Sequence, residues 1–280
     1  LEHFWAVFIN KDNIALNAYL DNQWLELTAE VVCRLCVYSH GALQPGIAGQ
    51  ETVLVFIPTL GLMESLHTLL SRRQTEIDSW DKHGETNIFA LHSHFDLDEC
   101  INEIKAVSGR RIVLASAIAD SSITIPNCGF VVDLCRCNEV RWCAEKGMSQ
   151  AALRWASQSV CEQRLGRTGR TCHGTIFRLV PEGFYKEWLA EWEVPHLKLG
   201  NLHSEVLDIV CCADAQLCDA EHILASCMDP PSSATVSHAF QALADSGALV
   251  QTISGGPWSA TEYGKLLSSL PVSLPAGRRI

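Results

Sequence analysis

The sequence of 280 residues has no apolar run that approaches the roughly 20 residues needed to span a bilayer. Its first ten residues, LEHFWAVFIN, lack both the basic flank and the small-residue cleavage site of a signal peptide. From these absences we expect an intracellular protein, cytoplasmic or nuclear, with no membrane partner, and we expect Leu1 not to be the native start. The composition is 48% hydrophobic and 19% charged, as in ordinary globular proteins, and the length favours two domains.

Positive charge is also scarce. The chain has 21 lysines and arginines against 32 aspartates and glutamates, which gives a formal net charge of −11. This balance argues against a broad basic face that holds phosphates. Any contact with nucleic acid must therefore be made in a local channel or depend on other parts of the protein.

Cysteine is frequent but has no ordered spacing. The 13 cysteines are an odd number in a chain long enough to fold without disulfides, so we expect reduced thiols. Cys33 and Cys36 have the CxxC spacing of a metal site, but they lie on a predicted amphipathic helix without a clear second pair. Small buried thiols are the favoured interpretation, and we predict no metal site.

Short apolar runs alternate with helical patterns over the first two thirds of the sequence. Thr28 is suited to cap a helix, and further helical patterns lie near residues 62–70, 98–107 and 157–165. The apolar runs cover residues 52–57, 88–91, 112–115, 130–134 and 174–180. Buried strands separated by helices indicate a parallel sheet with helices on both faces, and therefore an α/β fold.

The last third of the sequence has a different pattern. Residues 201–212 and 234–246 are helical by period, and residues 248–253 with the glycine-rich turn after them are suited to a β-wing. The segment SATE at 259–262 has the spacing of a capping box that begins a last helix. We predict a lead-in segment (1–27), an α/β domain (28–195), a smaller winged-helix domain (196–256) and the start of a further helical domain (257–280).

The stretch QRLGRTGR, residues 163–170, carries the most specific chemistry. Three arginines within seven residues, spaced by glycines that let the backbone approach a ligand closely, make a poor core segment and a good clamp for an anion. Guanidinium forks match phosphate oxygens and stabilise the charge on a transferred phosphoryl group. The alternative is a solvated basic turn, which the glycine spacing disfavours. We predict that the stretch lies on a helix that runs toward the strand at 175–180.

Four segments occur in an order that resembles one known family. QRLGRTGR is similar to motif VI (QRxGRxGR) of the DEAH/DExH-box RNA helicases of superfamily 2, and ASAIADSSITIP at 115–126 is similar to their motif V, ATNIAETSITIP. VLVFIP at 53–58 resembles motif IV, and LHS at 91–93 matches the LHS that follows it. Residues 197–280 resemble the family's winged helix and the first helix of its ratchet domain. Finer features, such as DLCR at 133–136, resemble plant DExH-box helicases that carry a CCCH zinc finger.

This resemblance implies a second RecA-like domain followed by a winged helix, in the C-terminal motor portion of an ATP-dependent RNA helicase. In the family, the motif VI glutamine places the attacking water and two arginines contact the nucleotide phosphates. The implied catalytic residues are Gln163, Arg167 and Arg170. The further residues implied at the nucleotide are Arg164, Thr124 and Asp120.

Motif V and the LHS segment of the family also hold the RNA backbone. The residues implied in RNA binding are Ser116, Ser122, His92 and Ser93. Hydroxyls and backbone amides at a turn between strand and helix suit phosphate binding because they add donors without bulk. The alternatives are simple turn formation for the small residues and a structural hydrogen bond for His92.

The sequence departs from the family at motif V and near the expected adenine site. The family's threonine and asparagine are Ser116 and Ala117, its glutamate is Asp120, and its next threonine is Ser121. Loss of the asparagine removes an amide from the site. An ungapped count places Ile104 where many members carry a phenylalanine that stacks on adenine, so we expect weaker base stacking.

Two segments that hold ATP in the family have no match in this sequence. There is no GxxxxGK[ST] loop and no DExH segment to hold Mg²⁺. We therefore expect this chain alone not to hydrolyse ATP. An upstream RecA-like domain of the same protein is expected to hold Mg²⁺ and most of the ATP, with RNA and protein cofactors as the other partners.

Two other functions are alternatives to the motor. A helicase-like scaffold that binds RNA or a protein is favoured by the acidic charge and the altered motif V, and it is opposed by the intact set of Gln163, Arg167 and Arg170. A free-standing winged-helix regulator of DNA is disfavoured, because that region lacks a cluster of lysine and arginine on its helices.

Overall fold

The chain forms two compact units. The computed structural model describes residues 18–38, 51–80, 85–120, 123–143, 146–212, 220–251, 256–270, 272 and 274–277. One unit, called here the sheet unit, combines residues 1–139 and 153–193. The other, called the helical unit, combines residues 140–152 and 194–280.

The sheet unit is built on five parallel strands in the order β2-β3-β1-β4-β7. The strands are β1 (Thr52–Phe56), β2 (Thr86–Leu91), β3 (Arg110–Ala115), β4 (Cys128–Asp133) and β7 (Thr175–Arg178). The three central strands are buried at every position, as expected for a parallel sheet covered on both faces. The predicted α/β fold with a RecA-like sheet is confirmed.

Alternate residues of the central strands pack on opposite faces of the sheet. One face packs against α1 (Ala18–Tyr38) and α2 (Leu60–Trp80) through Val53, Val55, Ile112, Leu114, Phe130 and Val132. The other face packs against α3 (Leu97–Ala106) and the turn after β3 through Leu54, Phe56, Val113, Ala115 and Val131. The strand ends are therefore held rigidly between two apolar layers.

Helix α1 begins ten residues earlier than the predicted cap at Thr28. Its buried positions include Trp24, Leu25 and Ala29, so the apolar face extends to both sides of Thr28. The Thr28 hydroxyl donates a hydrogen bond to the Trp24 carbonyl over 2.6 Å, one turn back within the helix. Thr28 is thus an interior residue, and the prediction that it caps the helix is wrong.

A two-stranded sheet that the sequence did not predict connects β4 to the helix of the 163–170 stretch. Its strands are β5 (Arg136–Cys143) and β6 (Met148–Trp155). Most of their residues are half-buried or exposed, so the strands lack the apolar period that marks a core strand. The hairpin is followed by α4 (Gln158–Leu165), close to the predicted helix at 157–165.

In the helical unit, short helices surround one apolar cluster and a small antiparallel sheet. Helix α5 (Glu182–Trp188) precedes these elements and belongs to the sheet unit. The elements of the helical unit are α6 (His196–Leu199), α7 (His203–Cys212), α8 (Ala220–Ala225), α9 (Ser233–Asp245), β8 (Leu249–Gln251), β9 (Trp258–Ala260), α10 (Glu262–Ser269) and α11 (Leu274–Gly277). Strand β9 pairs with β8, so the wing continues past residue 256.

Helix α10 begins at a different cap from the one predicted. The Thr261 hydroxyl accepts a hydrogen bond from the Gly264 amide over 3.0 Å, whereas Ser259 lies on β9. Ser259 is therefore not the N-cap of a capping box. Gly264 has no room for a side chain, because a Cβ there would collide with the Ala248 carbonyl. Across the described ranges of both units, no helix has the length and apolar character that a membrane crossing requires.

Candidate functional site

The predicted RNA-binding residues follow two strands of the sheet, and a carboxylate ends a third strand. His92 and Ser93 follow β2, Ser116 follows β3, and Asp133 ends β4. Because these strands are parallel and adjacent through β1, their carboxyl ends lie at the same edge. Ligands of open α/β sheets bind outside this edge.

The loop after β2 is a tight turn with two neighbouring imidazoles. The Phe95 amide donates to the His92 carbonyl over 3.0 Å, and the rings of His92 and His94 meet edge to face at 4.8 Å. Burial lowers the pKa of His92 below its ordinary value, and the neighbouring His94 lowers it further. Ser93 is exposed and therefore open to a ligand.

The segment after β3 returns along the sheet to the start of β4. Ser116 is buried, and its amide donates to the Leu91 carbonyl over 3.0 Å, so its backbone is fixed between two strand ends. A 3₁₀ turn, Ala117–Asp120, follows. Thr124 is exposed, while Ser122 lies outside the described residues.

Ile104 does not occupy an accessible position for base stacking. Its side chain is 1% exposed and lies in the core between α3 and the sheet. Its carbonyl accepts a hydrogen bond from Arg111 over 3.3 Å. This residue belongs to the buried face of its helix, so it presents no surface on which a base could stack.

The stretch 163–170 lies partly on α4 and partly on the turn that follows. Ser157 caps α4 by accepting a hydrogen bond from the Val160 amide, and the helix ends at Leu165. Only residues 163–165 are helical, so the predicted helix covers less of the stretch than expected. Gln163 faces solvent, whereas Arg164, the next residue, is buried.

Arg164 is the centre of a buried ionic network. Its guanidinium donates to Asp133 over 2.7 Å, to Asp120 over 3.0 Å and to the Arg136 carbonyl over 3.2 Å. It also lies 4.9 Å from the centre of the Phe56 ring. The Arg164 side chain is 2% exposed and that of Asp133 is 0% exposed.

The pKa values of this network follow from burial and pairing. Burial opposes the charge of Arg164, but the carboxylates of Asp133 and Asp120 raise its pKa above the ordinary value. Burial raises the pKa of Asp120, because lost hydration outweighs the stabilisation that Arg164 provides. The Arg164 guanidinium thus stays charged, and its hydrogen bonds are made to Asp133, Asp120 and the Arg136 carbonyl.

Arg167 binds the backbone of the segment after β3. It donates to the Asp120 carbonyl over 2.7 Å and to the Ile123 carbonyl over 3.1 Å. Burial lowers its pKa, and the nearby positive charge of Arg170 lowers it further. Arg167 is half-buried.

The rest of the turn is anchored near the start of β4. Thr168 donates to the Cys128 carbonyl over 2.8 Å, and the Thr171 hydroxyl accepts from the Asn127 amide over 3.1 Å. Gly169 has φ of +76°, a conformation that favours glycine. Arg170 is exposed, and its Nε donates to the Gly166 carbonyl over 2.9 Å. The turn thus holds Arg170 at the surface.

The sequence prediction missed Asp133 as a site residue. Its carboxylate is separated from Arg164 by 31 residues and meets it only in the folded chain. A carboxylate at the end of an otherwise apolar strand was the available signal, since such a group needs a buried partner.

Two thiols lie beside this carboxylate. The ligand atoms of Asp133, Cys135 and Cys161 lie within 4.8 Å of one another, and all three residues are buried. The hydrogen bond with Cys161 and burial raise the pKa of Cys135, which opposes the thiolate form that binds metals. Since Asp133 is already paired with Arg164, the group fits a structural core cluster.

The arrangement brings three of the predicted residues into direct contact and leaves others facing solvent. Asp120, Arg164 and Arg167 are joined by hydrogen bonds. Gln163, Arg170, Ser93 and Thr124 are exposed. Two arginines near one surface, one half-buried and one exposed, suit the binding of a polyanionic group such as a phosphate chain.

Comparisons with known proteins match the chain to helicases. The family described as "Helicase conserved C-terminal domain" matches residues 34–172. The chain is 35% identical over 243 residues to "DExH-box ATP-dependent RNA helicase DExH8" of Arabidopsis thaliana. The match covers 86% of this chain and 23% of that protein. It is 36% identical over 250 residues to "Zinc finger CCCH domain-containing protein 4" of Oryza sativa subsp. japonica, covering 88% of this chain and 23% of that protein.

A solved structure shows the same fold. The crystal structure of the E. coli DExH-box NTPase HrpB matches with a TM-score of 0.65 at 20% identity, over 94% of this chain and 29% of that chain. At this identity the match supports the fold alone. The chain spans about a quarter of the length of the curated relatives given above.

Proposed function

The chain belongs to the DExH-box RNA helicases as their helicase C-terminal domain, and on this premise we propose that it forms one wall of an ATP-hydrolysing motor site and part of an RNA channel. The observation that carries the proposal is the anchored turn after α4. It holds Arg170 at the surface and Arg167 on the segment after β3, while Gln163 faces solvent beside them.

In the proposed reaction, Arg167 and Arg170 contact the phosphates of ATP and stabilise the charge that develops on the transferred phosphoryl group. Gln163 orients the attacking water. Preorganised cations of this kind are effective because they do not reorganise during the reaction. Thr124, exposed on the segment after β3, is proposed to face the nucleotide as well.

The carboxyl edge of the sheet is proposed to hold the RNA backbone. Ser93 is exposed there, with His92 and Ser116 beside it, and Ser122 is assigned to the same role from the motif alone. Contacts to phosphate and sugar position an RNA strand without reading its sequence. The altered motif V, with Ser116 in place of the family's threonine, retains a hydroxyl at this edge.

The other wall of the site is assigned to an upstream RecA-like domain of the same protein. The carboxylates of Asp120 and Asp133 both bind Arg164, so they do not fit a magnesium site. Mg²⁺ is therefore assigned to the upstream domain. The present chain alone is proposed to be inactive toward ATP.

The domain assignment of the sequence is retained as part of the proposal. Residues 28–195 form the second RecA-like domain, residues 196–256 form the winged helix, and residues 257–280 begin a ratchet-like helical domain. Strand β9 adds Trp258–Ala260 to the wing. An intracellular location, with RNA and protein cofactors as partners, follows from the same proposal.

A second candidate function is a scaffold that binds RNA or a protein without hydrolysing ATP. The net charge of −11 and the loss of the motif V asparagine at Ala117 favour it. In that case the buried network would keep the fold, and the exposed Arg170 would have no role in catalysis.

RNA-stimulated ATP hydrolysis by the full-length protein distinguishes the two functions. We expect the wild type to turn over ATP, and we expect Arg170→Ala and Arg167→Ala each to lower kcat by about 10³-fold or more, as loss of an arginine finger does. Arg72→Ala, which removes an exposed arginine from α2, is the matched control and should retain activity. An inactive wild type, or arginine variants with normal turnover, would replace the motor by the scaffold.

A further inference from the structure

Asp120 connects two segments of the proposed site through two different groups. Its carboxylate accepts a hydrogen bond from Arg164 over 3.0 Å, and its backbone carbonyl accepts one from Arg167 over 2.7 Å. Arg164 lies in the last turn of α4, and Arg167 lies three residues later on the turn that follows. The same residue is therefore held by one arginine and holds the other.

The Arg164 side of this connection is rigid. A planar guanidinium binds two carboxylates and one carbonyl at the same time, an arrangement that a lysine ammonium cannot reproduce. Asp133 is fixed in turn, because it ends β4 and its carboxylate accepts the Cys135 amide over 2.8 Å. The Asp120 side chain is therefore fixed relative to the central sheet through Arg164 and Asp133.

The Arg167 side depends on the same anchor. Both carbonyls that Arg167 binds, those of Asp120 and Ile123, belong to the segment after β3. That segment contacts α4 through the carboxylate of Asp120, so a displaced Asp120 would also displace both acceptors. The two hydrogen bonds give the Arg167 side chain a defined direction.

The charge balance supports this arrangement. The carboxylate of Asp120, which pairs with Arg164, also attracts the half-buried Arg167. This attraction offsets part of the cost of burying Arg167 next to the positive Arg170. An uncharged side chain at position 120 would remove the attraction and weaken the anchor.

We propose that Asp120 and Arg164 are positioning residues, which align Arg167 for phosphoryl transfer through the segment after β3 and do not bind the nucleotide themselves. This inference rests on the proposed function and revises the roles that the sequence implied for both residues. A nucleotide contact would mainly affect the binding of ATP, whereas a positioning residue would mainly affect the chemical step.

The test uses RNA-stimulated hydrolysis by the full-length protein with two substitutions of one residue. Asp120→Asn keeps the shape but removes the charge, and we expect kcat to fall about 10- to 100-fold, as displaced catalytic groups do, with KM for ATP changed less than about twofold. Asp120→Glu restores a carboxylate and is expected to recover most of kcat. The control is Glu162→Gln on α4, which breaks the ion pair between Glu162 and Arg178. Its kcat and KM should match those of the wild type.

Three results would overturn the inference. If Asp120→Asn raises KM with kcat unchanged, Asp120 binds the nucleotide directly. If Asp120→Asn keeps normal kinetics, or Asp120→Glu is as slow as Asp120→Asn, the carboxylate does not position Arg167. An inactive wild type would instead remove the proposed function itself, so failure of the function is distinguished from failure of the positioning role.

Discussion

The core of the sheet unit contains charged side chains, whereas the core of the helical unit is apolar. The buried charged residues of the sheet unit are Glu51, Arg110, Arg111, Asp133, Arg136 and Arg164. In the part of the helical unit that the structure describes, His203 is the one buried polar residue. Helices α7, α9 and α10 instead meet through residues such as Leu207, Leu243 and Leu267.

The apolar core serves stability, whereas the buried charges near the proposed site cost stability and serve to position functional groups. Burying a charge costs free energy that is recovered only when its partners are well placed. Part of this cost falls next to the proposed site, at Asp133 and Arg164, where a fixed geometry of cations is needed for catalysis. Glu51, Arg110 and Arg111 instead lie at the opposite edge of the sheet, where β1 and β3 begin. The helical unit has a simpler core, which consists mainly of apolar side chains.

The largest effect is expected from Arg164→Met in the sheet unit. The substitution leaves the carboxylates of Asp133 and Asp120 without their cation, which should lower the free energy of unfolding by about 3–5 kcal/mol. Chemical denaturation measures this loss. Adding Asp133→Asn to Arg164→Met should recover part of the lost free energy of unfolding. If Arg164→Met alone is as stable as the wild type, the ionic network does not stabilise the sheet unit.

The matching substitution in the helical unit is Leu243→Ala. Leu243 is completely buried among apolar neighbours, so the truncation should cost about 2–5 kcal/mol through lost burial and a cavity. Leu266→Ala removes an exposed leucine from α10 and is expected to change stability by less than about 0.5 kcal/mol. Equal losses for the two variants would contradict an apolar core centred on Leu243.

A smaller effect is expected where the arginine turn meets the sheet. A Cβ at Gly174 would overlap the Thr168 hydroxyl and lie 2.9 Å from the Gly129 carbonyl, so Gly174→Ala should cost about 1–3 kcal/mol. Gly183→Ala is the control, because no atom lies within 4 Å of a Cβ there. Thermal and chemical denaturation should show that Gly174→Ala is less stable than Gly183→Ala. Similar melting curves would mean that the chain near Gly174 adjusts to a Cβ without a loss of stability.

The smallest effect concerns the cap of α10 in the helical unit. Thr261→Ala removes the hydroxyl that accepts the Gly264 amide, and it should lower stability by about 1 kcal/mol. Ser259→Ala, at the position that the sequence pattern favoured, should change stability by less than about 0.5 kcal/mol because Ser259 lies on β9. The reverse order in denaturation experiments would return the cap to Ser259.

The sequence predicted those features that depend on neighbours along the chain. Continuous apolar runs located the five strands of the parallel sheet, and the arginine and glycine spacing at 163–170 located the proposed site. The β5–β6 hairpin was missed because its residues are mostly exposed and have no apolar period. Thr28 was misplaced because a threonine within a helix resembles a cap until the residues before it are seen to be buried.

Contacts between distant segments could not be predicted in the same way. The Arg164–Asp133 pair joins residues separated by 31 positions, and only the fold shows that Asp133 is its partner. The backbone carbonyls that bind Arg167 carry no mark in the sequence at all, because every residue has a carbonyl. The roles proposed for Asp120 and Arg164 therefore depend on the structure, whereas those for Gln163, Arg167 and Arg170 were available from the motif.

The most direct test of the central claim is the binding of ADP with aluminium fluoride, which mimics the transferred phosphoryl group, to the full-length protein in the presence of RNA. If Arg170 acts on charge that develops in the transition state, Arg170→Ala should weaken binding of this complex by about 100-fold or more, while binding of ADP alone changes little. Equal effects on both ligands, or no effect on either, would contradict the claim that this chain supplies the arginine wall of an ATP site.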